Sequence, residues 1–125
     1  MTEFNGTGII FLDMNDFKNN TLVGSDGKPV AGNWVCMVQG TFCGFCTKAK
    51  PDFIKAKNLA SNSAKFCTIK IDGDSNEKAL GKNLPSITGQ EMSGVPAYIL
   101  FKNGRAVSLH KGERDYKSIL KFSSS

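Results

Sequence analysis

Two cysteines, Cys43 and Cys46, are separated by only two residues, and this C-x-x-C spacing supports two kinds of chemistry. The pair can exchange its thiols with a disulfide of another molecule, or it can supply half of a zinc site. A zinc site needs two further ligands, and the candidates are Cys36, Cys67 and His110, which fall on predicted strands and form no second paired motif. Thiol–disulfide exchange is therefore the favoured interpretation of the motif.

The residues after the motif predict a helix that ends at about Ala60. Apolar side chains recur at intervals of three and four residues, at Cys46, Ala49, Phe53, Ala56 and Ala60. At the N-terminus of this helix, free backbone N–H groups and the helix dipole favour the thiolate form of Cys43. We expect Cys43 to attack a disulfide, and Cys46, one turn further in and less exposed, to resolve the mixed disulfide.

The surrounding elements predict an α/β domain. Strands are expected at residues 9–12, 34–38, 66–71, 97–101 and 105–110, and helices at residues 14–20, 46–60, 75–84 and 115–122. The last two strands are joined at Asn103-Gly104, a pair that suits a tight hairpin turn with positive φ. The order β-α-β-α-β-α-β-β-α implies a central mixed sheet with helices on both faces.

Several local features carry their own predictions. Asp13 is expected to cap the first helix, with Asp16 completing a capping box, and Ser75 to cap the third. Residues 84–94 contain Pro85 and two glycines and are predicted to form a loop. The three serines at residues 123–125 are expected to fray.

Length and composition fit one domain spanning residues 1–125. The net charge is +5, but the lysines are scattered and no nucleic-acid-binding motif frames them, so no nucleic-acid partner is expected. No apolar stretch approaches the roughly 20 residues of a membrane span. Residues 1–8 lack the basic and apolar parts of a secretory signal, so we expect a cytoplasmic chain with free thiols. We expect a monomer, because no apolar surface stripe remains once the core is assigned.

With these motifs in register, the chain resembles the thioredoxin family, in its thioredoxin and protein-disulfide-isomerase branch, from residue 9 to residue 122. The matching positions are Cys-Gly-Phe-Cys at residues 43–46, the helix proline Pro51, Asp72 at the end of a strand, the Val95-Pro96 step, the hairpin turn at residues 101–104, and Gly112. The resemblance implies a thioredoxin fold with a cis peptide bond before Pro96.

The resemblance also implies a thiol–disulfide oxidoreductase, in the first instance a protein-disulfide reductase that transfers electrons through a redox-active Cys43/Cys46 disulfide. Its substrates would be disulfide-containing proteins. They would bind at a mainly apolar rim formed by Phe42, Gly44, Phe45, Val95, Pro96 and Gly112. A thioredoxin-reductase-like enzyme or glutathione would supply electrons, because no cofactor-binding fingerprint or metal site is evident.

The chain departs from the family pattern at three points. Met37 stands where the family carries a buried acid that helps to deprotonate the second cysteine, Phe42 replaces a tryptophan, and the residues between the cysteines are Gly-Phe. The Gly-Phe pair between the cysteines favours a reducing, thioredoxin-like reduction potential. Two alternatives remain: the same chemistry run oxidatively by an isomerase or oxidase, and a binding module with weak redox activity.

Two further hypotheses concern residues outside the motif. The loop predicted at residues 84–94 leads to the rim, so it either shapes substrate choice or is a neutral insertion. Cys36 and Cys67 are expected to be buried and to act as small apolar side chains, and His110 to lie at the surface.

Overall fold

A computed structural model describes residues 4, 6–92, 94–110 and 112–125 of the chain. Among these residues it contains seven strands: β1 (Ile10–Phe11), β2 (Phe17–Lys18), β3 (Thr21–Leu22), β4 (Asn33–Gln39), β5 (Lys65–Lys70), β6 (Ala97–Lys102) and β7 (Arg105–His110). Three α-helices lie between and after them: α1 (Gly44–Ala60), α2 (Ser75–Thr88) and α3 (Tyr116–Ser123). No helix among the described residues is long and apolar enough to cross a membrane.

Five strands form one mixed sheet in the order β1-β5-β4-β6-β7. The first three in this order are parallel, whereas β6 runs antiparallel to β4 and to β7. The turn between β6 and β7 places Asn103 and Gly104 at φ values of 51° and 89°, which confirms the predicted hairpin. The predicted mixed sheet is therefore confirmed.

The sheet separates two apolar clusters because alternate residues of a strand point to opposite faces. Met37 of β4 joins the cluster under α1 and α3, whereas Cys36 joins the cluster under α2. We call these sides the α1 face and the α2 face. Helices on both faces were predicted, and the structure confirms them.

Helix α1 has the predicted apolar face. The five residues expected there, Cys46, Ala49, Phe53, Ala56 and Ala60, are all buried. Pro51 lies inside the helix on its exposed side. The helix therefore presents one packed face to the sheet, and its N-terminus lies at the cysteine motif.

The helix predicted at residues 14–20 is wrong. A short 3₁₀ helix, Met14–Asp16, is followed by a two-stranded hairpin formed by β2 and β3. Asn19 and Asn20 adopt positive φ angles of 51° and 64°, a conformation that asparagine tolerates in turns. The predicted capping box is nevertheless present. The Asp13 side chain accepts a hydrogen bond from the backbone N–H of Asp16, and the Asp16 side chain accepts one from the backbone N–H of Asp13.

The loop predicted at residues 84–94 is partly wrong, because α2 continues to Thr88 and ends at Gly89 with a φ of 77°. Leu80, Leu84 and Ile87 are buried on one face of the helix, and this burial outweighs the cost of Pro85 inside it. The cap is Asp74 and not Ser75, since the Asp74 carboxylate accepts from the backbone N–H of Glu77 at 2.8 Å. The irregular connection is thus shorter than predicted.

The fraying predicted for residues 123–125 does not extend to Ser123. This residue ends α3 and is 2% exposed. Its carbonyl accepts a hydrogen bond from the Asn33 side chain at 2.8 Å, which ties the last helix to the start of β4.

Candidate active site

Cys43 occupies the cap position at the N-terminus of α1, as the sequence predicts. Its Sγ accepts a hydrogen bond from the backbone N–H of Cys46 at 3.1 Å. Cys43 is 8% exposed and Cys46 is fully buried, and both carry free thiols. A sulfur that faces a helix N-terminus and receives an N–H bond is well placed to carry negative charge.

The connection before β6 meets the motif from the other side. The Cys43 thiol donates to the backbone carbonyl of Val95 at 3.5 Å. The Val95-Pro96 peptide bond is cis, and both residues are half-buried. The structure thus brings Val95, one of the predicted rim residues, into contact with the Cys43 sulfur.

The turn that leads into the motif is fixed by the end of β5. The backbone N–H of Thr41 donates to the two carboxylate oxygens of Asp72 at 3.2 and 3.0 Å, and the Thr41 hydroxyl donates to the same group. The hydroxyl bond holds the pKa of Asp72 below its ordinary value of 3.8. A Cβ atom at Gly40 would lie 2.5 Å from the Phe42 ring, so any other residue at this position would require the ring to move.

Cys46 is chemically distinct from Cys43. Burial, together with the contact with Cys43, raises the pKa of the Cys46 thiol to about 12, although the Gly40 backbone and the charge of Lys50 act in the opposite direction. At neutral pH Cys46 is therefore a protonated thiol, and it must lose this proton before it can attack a disulfide.

The aromatic residues of the predicted rim project into solvent. Phe42 is 70% exposed and Phe45 is 65% exposed. The guanidinium of Arg114 lies 5.5 Å from the centre of the Phe45 ring, a cation–π contact that the sequence did not reveal. Gly112 is exposed beside the His110 ring, and no contact of Gly112 with the motif is seen among the described residues.

Comparison with known proteins identifies the family. The thioredoxin family model matches residues 20–125. A putative thioredoxin-like protein, 453L, of Invertebrate iridescent virus 6 is 34% identical over 113 residues, which cover 79% of each chain. The chain belongs to the thioredoxin family. Members of this family generally act on disulfide-containing substrates without a cofactor, which supports assignment to the thiol–disulfide oxidoreductases.

Solved thioredoxin-family structures share the fold at low sequence identity. Oxidised mitochondrial thioredoxin 3 from Saccharomyces cerevisiae is 18% identical with a TM-score of 0.67, and the match covers 94% of each chain. The zinc-bound form of human ERp44 gives 18% identity and a TM-score of 0.64, and the J-Trx1 fragment of ERdj5 gives 16% and 0.65. The match covers 91% and 92% of the chain, but only 30% of the ERp44 structure and 49% of the ERdj5 fragment.

The other cysteines of this thioredoxin-family chain lie across the sheet from the motif. Cys36 and Cys67 are neighbours in register on β4 and β5, and both are fully buried on the α2 face. Burial raises the pKa of Cys36 well above its ordinary value. The predicted burial of both residues is confirmed, and they do not join Cys43 and Cys46 in one ligand set. Within the described ranges, no group of three or more His, Cys, Asp or Glu residues is arranged to hold a metal ion.

His110 is not the surface residue that the sequence predicted. Its ring is half-buried and lies 6.0 Å from that of Tyr98 and 5.1 Å from that of Phe122, measured between centres. Its Nε2 is 2.7 Å from the Glu113 carbonyl. The histidine therefore packs the β7 edge against α3.

Proposed function

We propose that this thioredoxin-family chain is a protein-disulfide reductase. The observation that carries the proposal is the inequality of the two sulfurs, one at the helix N-terminus with an N–H bond and one fully buried. Cys43 as thiolate attacks a substrate disulfide, forms a new S–S bond and releases one substrate thiolate. Cys46 then loses its proton and attacks the Cys43 sulfur, which releases the second substrate thiol and leaves a Cys43/Cys46 disulfide. The substrate gains two electrons and the cysteine pair loses them.

Substrate polypeptide binds, in this proposal, at the rim formed by Phe42, Gly44, Phe45, Val95, Pro96 and Gly112. The exposed rings of Phe42 and Phe45 offer apolar area beside the motif. The contact of Cys43 with the Val95 carbonyl brings the connection before β6 within reach of a bound chain. A substrate segment that pairs with the Val95 backbone would present its disulfide to Cys43.

Electrons come from a thioredoxin-reductase-like enzyme or from glutathione, and the acting unit is a monomer. A cytoplasmic location fits this role, because cytosolic thiol systems keep exposed dithiols reduced. An isomerase or oxidase would use the same residues in the other direction.

A binding module with weak redox activity is the second candidate, and one observation favours it. Cys46 is fully buried, its pKa is raised to about 12, and Met37 on the same face supplies no carboxylate. If Cys46 forms a thiolate too rarely, the mixed disulfide would persist and the chain would hold partners without turning over.

The test is to incubate the reduced chain with insulin, a disulfide-bearing protein, and to detect adducts by mass spectrometry. We expect Cys46→Ser to accumulate a reductant-sensitive adduct through Cys43, the wild type to reduce insulin, and the Cys43→Ser control to do neither. A Cys46→Ser protein that forms no adduct would contradict the mechanism. A wild type that forms adducts but releases no reduced insulin would favour the binding module.

A further inference from the structure

Two buried side-chain atoms among the described residues have no hydrogen-bond partner, the Tyr98 hydroxyl and Gln39 Oε1. Buried polar groups are nearly always hydrogen-bonded, so each exception calls for an explanation. Tyr98 is the register partner of Met37 and lies with it on the α1 face. Gln39 is two residues after Met37 in β4 and therefore points to the same face. Both unpartnered groups thus lie beneath the helix that carries the cysteines.

The Tyr98 side chain is enclosed on the face of the sheet that carries the cysteine pair. It is 1% exposed, belongs to the same apolar cluster as Cys43 and Cys46, and its ring centre is 5.9 Å from that of Phe53 in α1. The titratable groups around it are Cys43, Cys46 and Asp52 of α1, His110 of β7 and Arg114 before α3.

The charge state of the phenol follows from this enclosure. Burial raises the pKa of Tyr98 well above its ordinary value, Arg114 opposes that shift, and charges on Cys46, Asp52 and Cys43 add to it. The hydroxyl therefore stays protonated and remains a hydrogen-bond donor at every pH at which the protein functions. A buried, unpartnered donor on the face that holds both sulfurs can stabilise an anion that forms there.

Cys46 needs such a donor. Resolution of the mixed disulfide requires the Cys46 thiolate, which burial disfavours, and the described groups that oppose this effect are the Gly40 backbone and Lys50. Met37, which lies between β5 and β6 in the sheet, brings no polar group to this face. Because burial keeps water away from the Cys46 sulfur, a negative charge on it must be stabilised by the protein, either by a nearby positive charge or by hydrogen bonds.

We propose that the Tyr98 hydroxyl donates a hydrogen bond to the Cys46 thiolate during resolution of the mixed disulfide. The inference rests on the proposed function, since it concerns the second step of that reaction. Tyr98 keeps its own proton throughout. Cys46 first loses its proton to water or to the substrate thiolate released in the first step. The electron pair of the Cys46 sulfur then forms the bond to Cys43 while the bond between Cys43 and the substrate sulfur breaks, which releases the second substrate thiolate. Tyr98 is in this account a positioning residue for the charge on Cys46.

Replacement of Tyr98 distinguishes a hydroxyl with this role from one without a role. Tyr98→Phe removes only the unpartnered oxygen, and removal of a buried unsatisfied group is neutral or stabilising when nothing uses it. Tyr116→Phe is the matched control, because it deletes the other tyrosine hydroxyl of the chain from α3, on an element outside the proposed machinery.

The experiment mixes reduced protein with 5,5′-dithiobis(2-nitrobenzoate) and follows release of thionitrobenzoate from about pH 6 to about pH 9. The first release reports attack by Cys43, and the second reports attack by Cys46 on the mixed disulfide. For Tyr98→Phe we expect an unchanged first release and a second release slowed about tenfold at each pH, the effect of losing one hydrogen bond to a charged group. Tyr116→Phe should match the wild type in both phases.

Three results would overturn the inference. One is a Tyr98→Phe protein with an unchanged second release and equal or greater stability in urea. Another is a protein slowed equally in both phases, which would show a general structural defect. The third is a wild type that gives a first release and no second one. The third result would refute the proposed function itself. It is distinguishable from the other two because it is observed with the wild-type protein alone.

Discussion

At the scale of single residues, the chemistry depends on a difference between two cysteines that are only three positions apart. Cys43 accepts an N–H bond at the helix N-terminus, and Cys46 is enclosed with its pKa raised to about 12. The same helix thus places one sulfur at its N-terminus and encloses the other one turn further in. The turn before the helix, fixed by Thr41 and Asp72, holds both in place.

We predict that Asp72→Asn lowers the free energy of unfolding by about 1 kcal/mol at neutral pH, since an amide replaces a partly solvated, charge-assisted acceptor. The folded-state pKa of Asp72 lies below 3.8, so its contribution is present above that pH and is lost as the pH falls through the folded-state value. The difference in urea stability between the two proteins should therefore shrink as the pH falls below 3.8 and vanish once the pH is below the folded-state pKa of Asp72.

Asp26→Asn is the control for this prediction, because Asp26 also accepts a backbone N–H in an exposed turn, at 3.0 Å from Lys28, but lies in another part of the chain. A loss for Asp72→Asn that stays constant down to the acid limit would contradict the account of the Thr41 contact.

The residues of the motif could be predicted from the sequence, whereas their partners could not. Cys43 and Cys46 are adjacent in the chain, and the helix that orients them has a regular apolar spacing. Tyr98 and Arg114 come from β6 and from the segment before α3, and their positions depend on strand register and loop path. Nothing in the local sequence marks a hydroxyl without a partner.

At the scale of elements, prediction succeeded where apolar patterns were long and failed where they were short. The strands β4 to β7 and helix α1 follow continuous or periodic apolar residues. The hairpin of β2 and β3 has only two residues in each strand, too few to show a period. In α2, Pro85 and the following glycines suggested a loop, but burial of Leu84 and Ile87 extends the helix through Pro85 to Thr88, and Gly89 ends it.

The connection between α2 and β6 lies between two cavities. One of about 480 Å³ is lined by Ile71, Leu84 and Met92, and one of about 260 Å³ by Leu109, His110 and Arg114. Glu91, Met92, Gly94 and Val95 line both. Since Val95 also contacts Cys43, the hypothesis that this connection shapes substrate choice applies to the segment from Gly89 to Pro96.

We predict that Met92→Ala changes the relative kcat/KM for different protein substrates by about fivefold, the effect of roughly 1 kcal/mol of lost apolar contact. Its rate with the small disulfide 5,5′-dithiobis(2-nitrobenzoate) should not change. Met14→Ala is the control, because Met14 is also half-buried against the α2-face cluster but lines neither cavity. A relative kcat/KM that stays unchanged would contradict a role of this connection in substrate choice.

At the scale of the whole molecule, the sheet keeps two pairs of cysteines apart. Cys43 and Cys46 lie at the edge of the α1 face, and Cys36 and Cys67 lie within the α2 face. Oxidation of the first pair therefore need not involve the second. The redox behaviour of the chain should be that of a single dithiol and a single two-electron couple.

The most direct test of the central claim is the equilibrium of the Cys43/Cys46 pair with a series of glutathione redox buffers, followed by alkylation and mass spectrometry. The account predicts one two-electron transition between dithiol and disulfide, with a potential nearer to about −270 mV, typical of thioredoxin, than to about −180 mV, typical of protein disulfide isomerase. A potential at the isomerase end would contradict the reductase assignment. A pair that never equilibrates with glutathione would contradict the enzyme and leave the binding module.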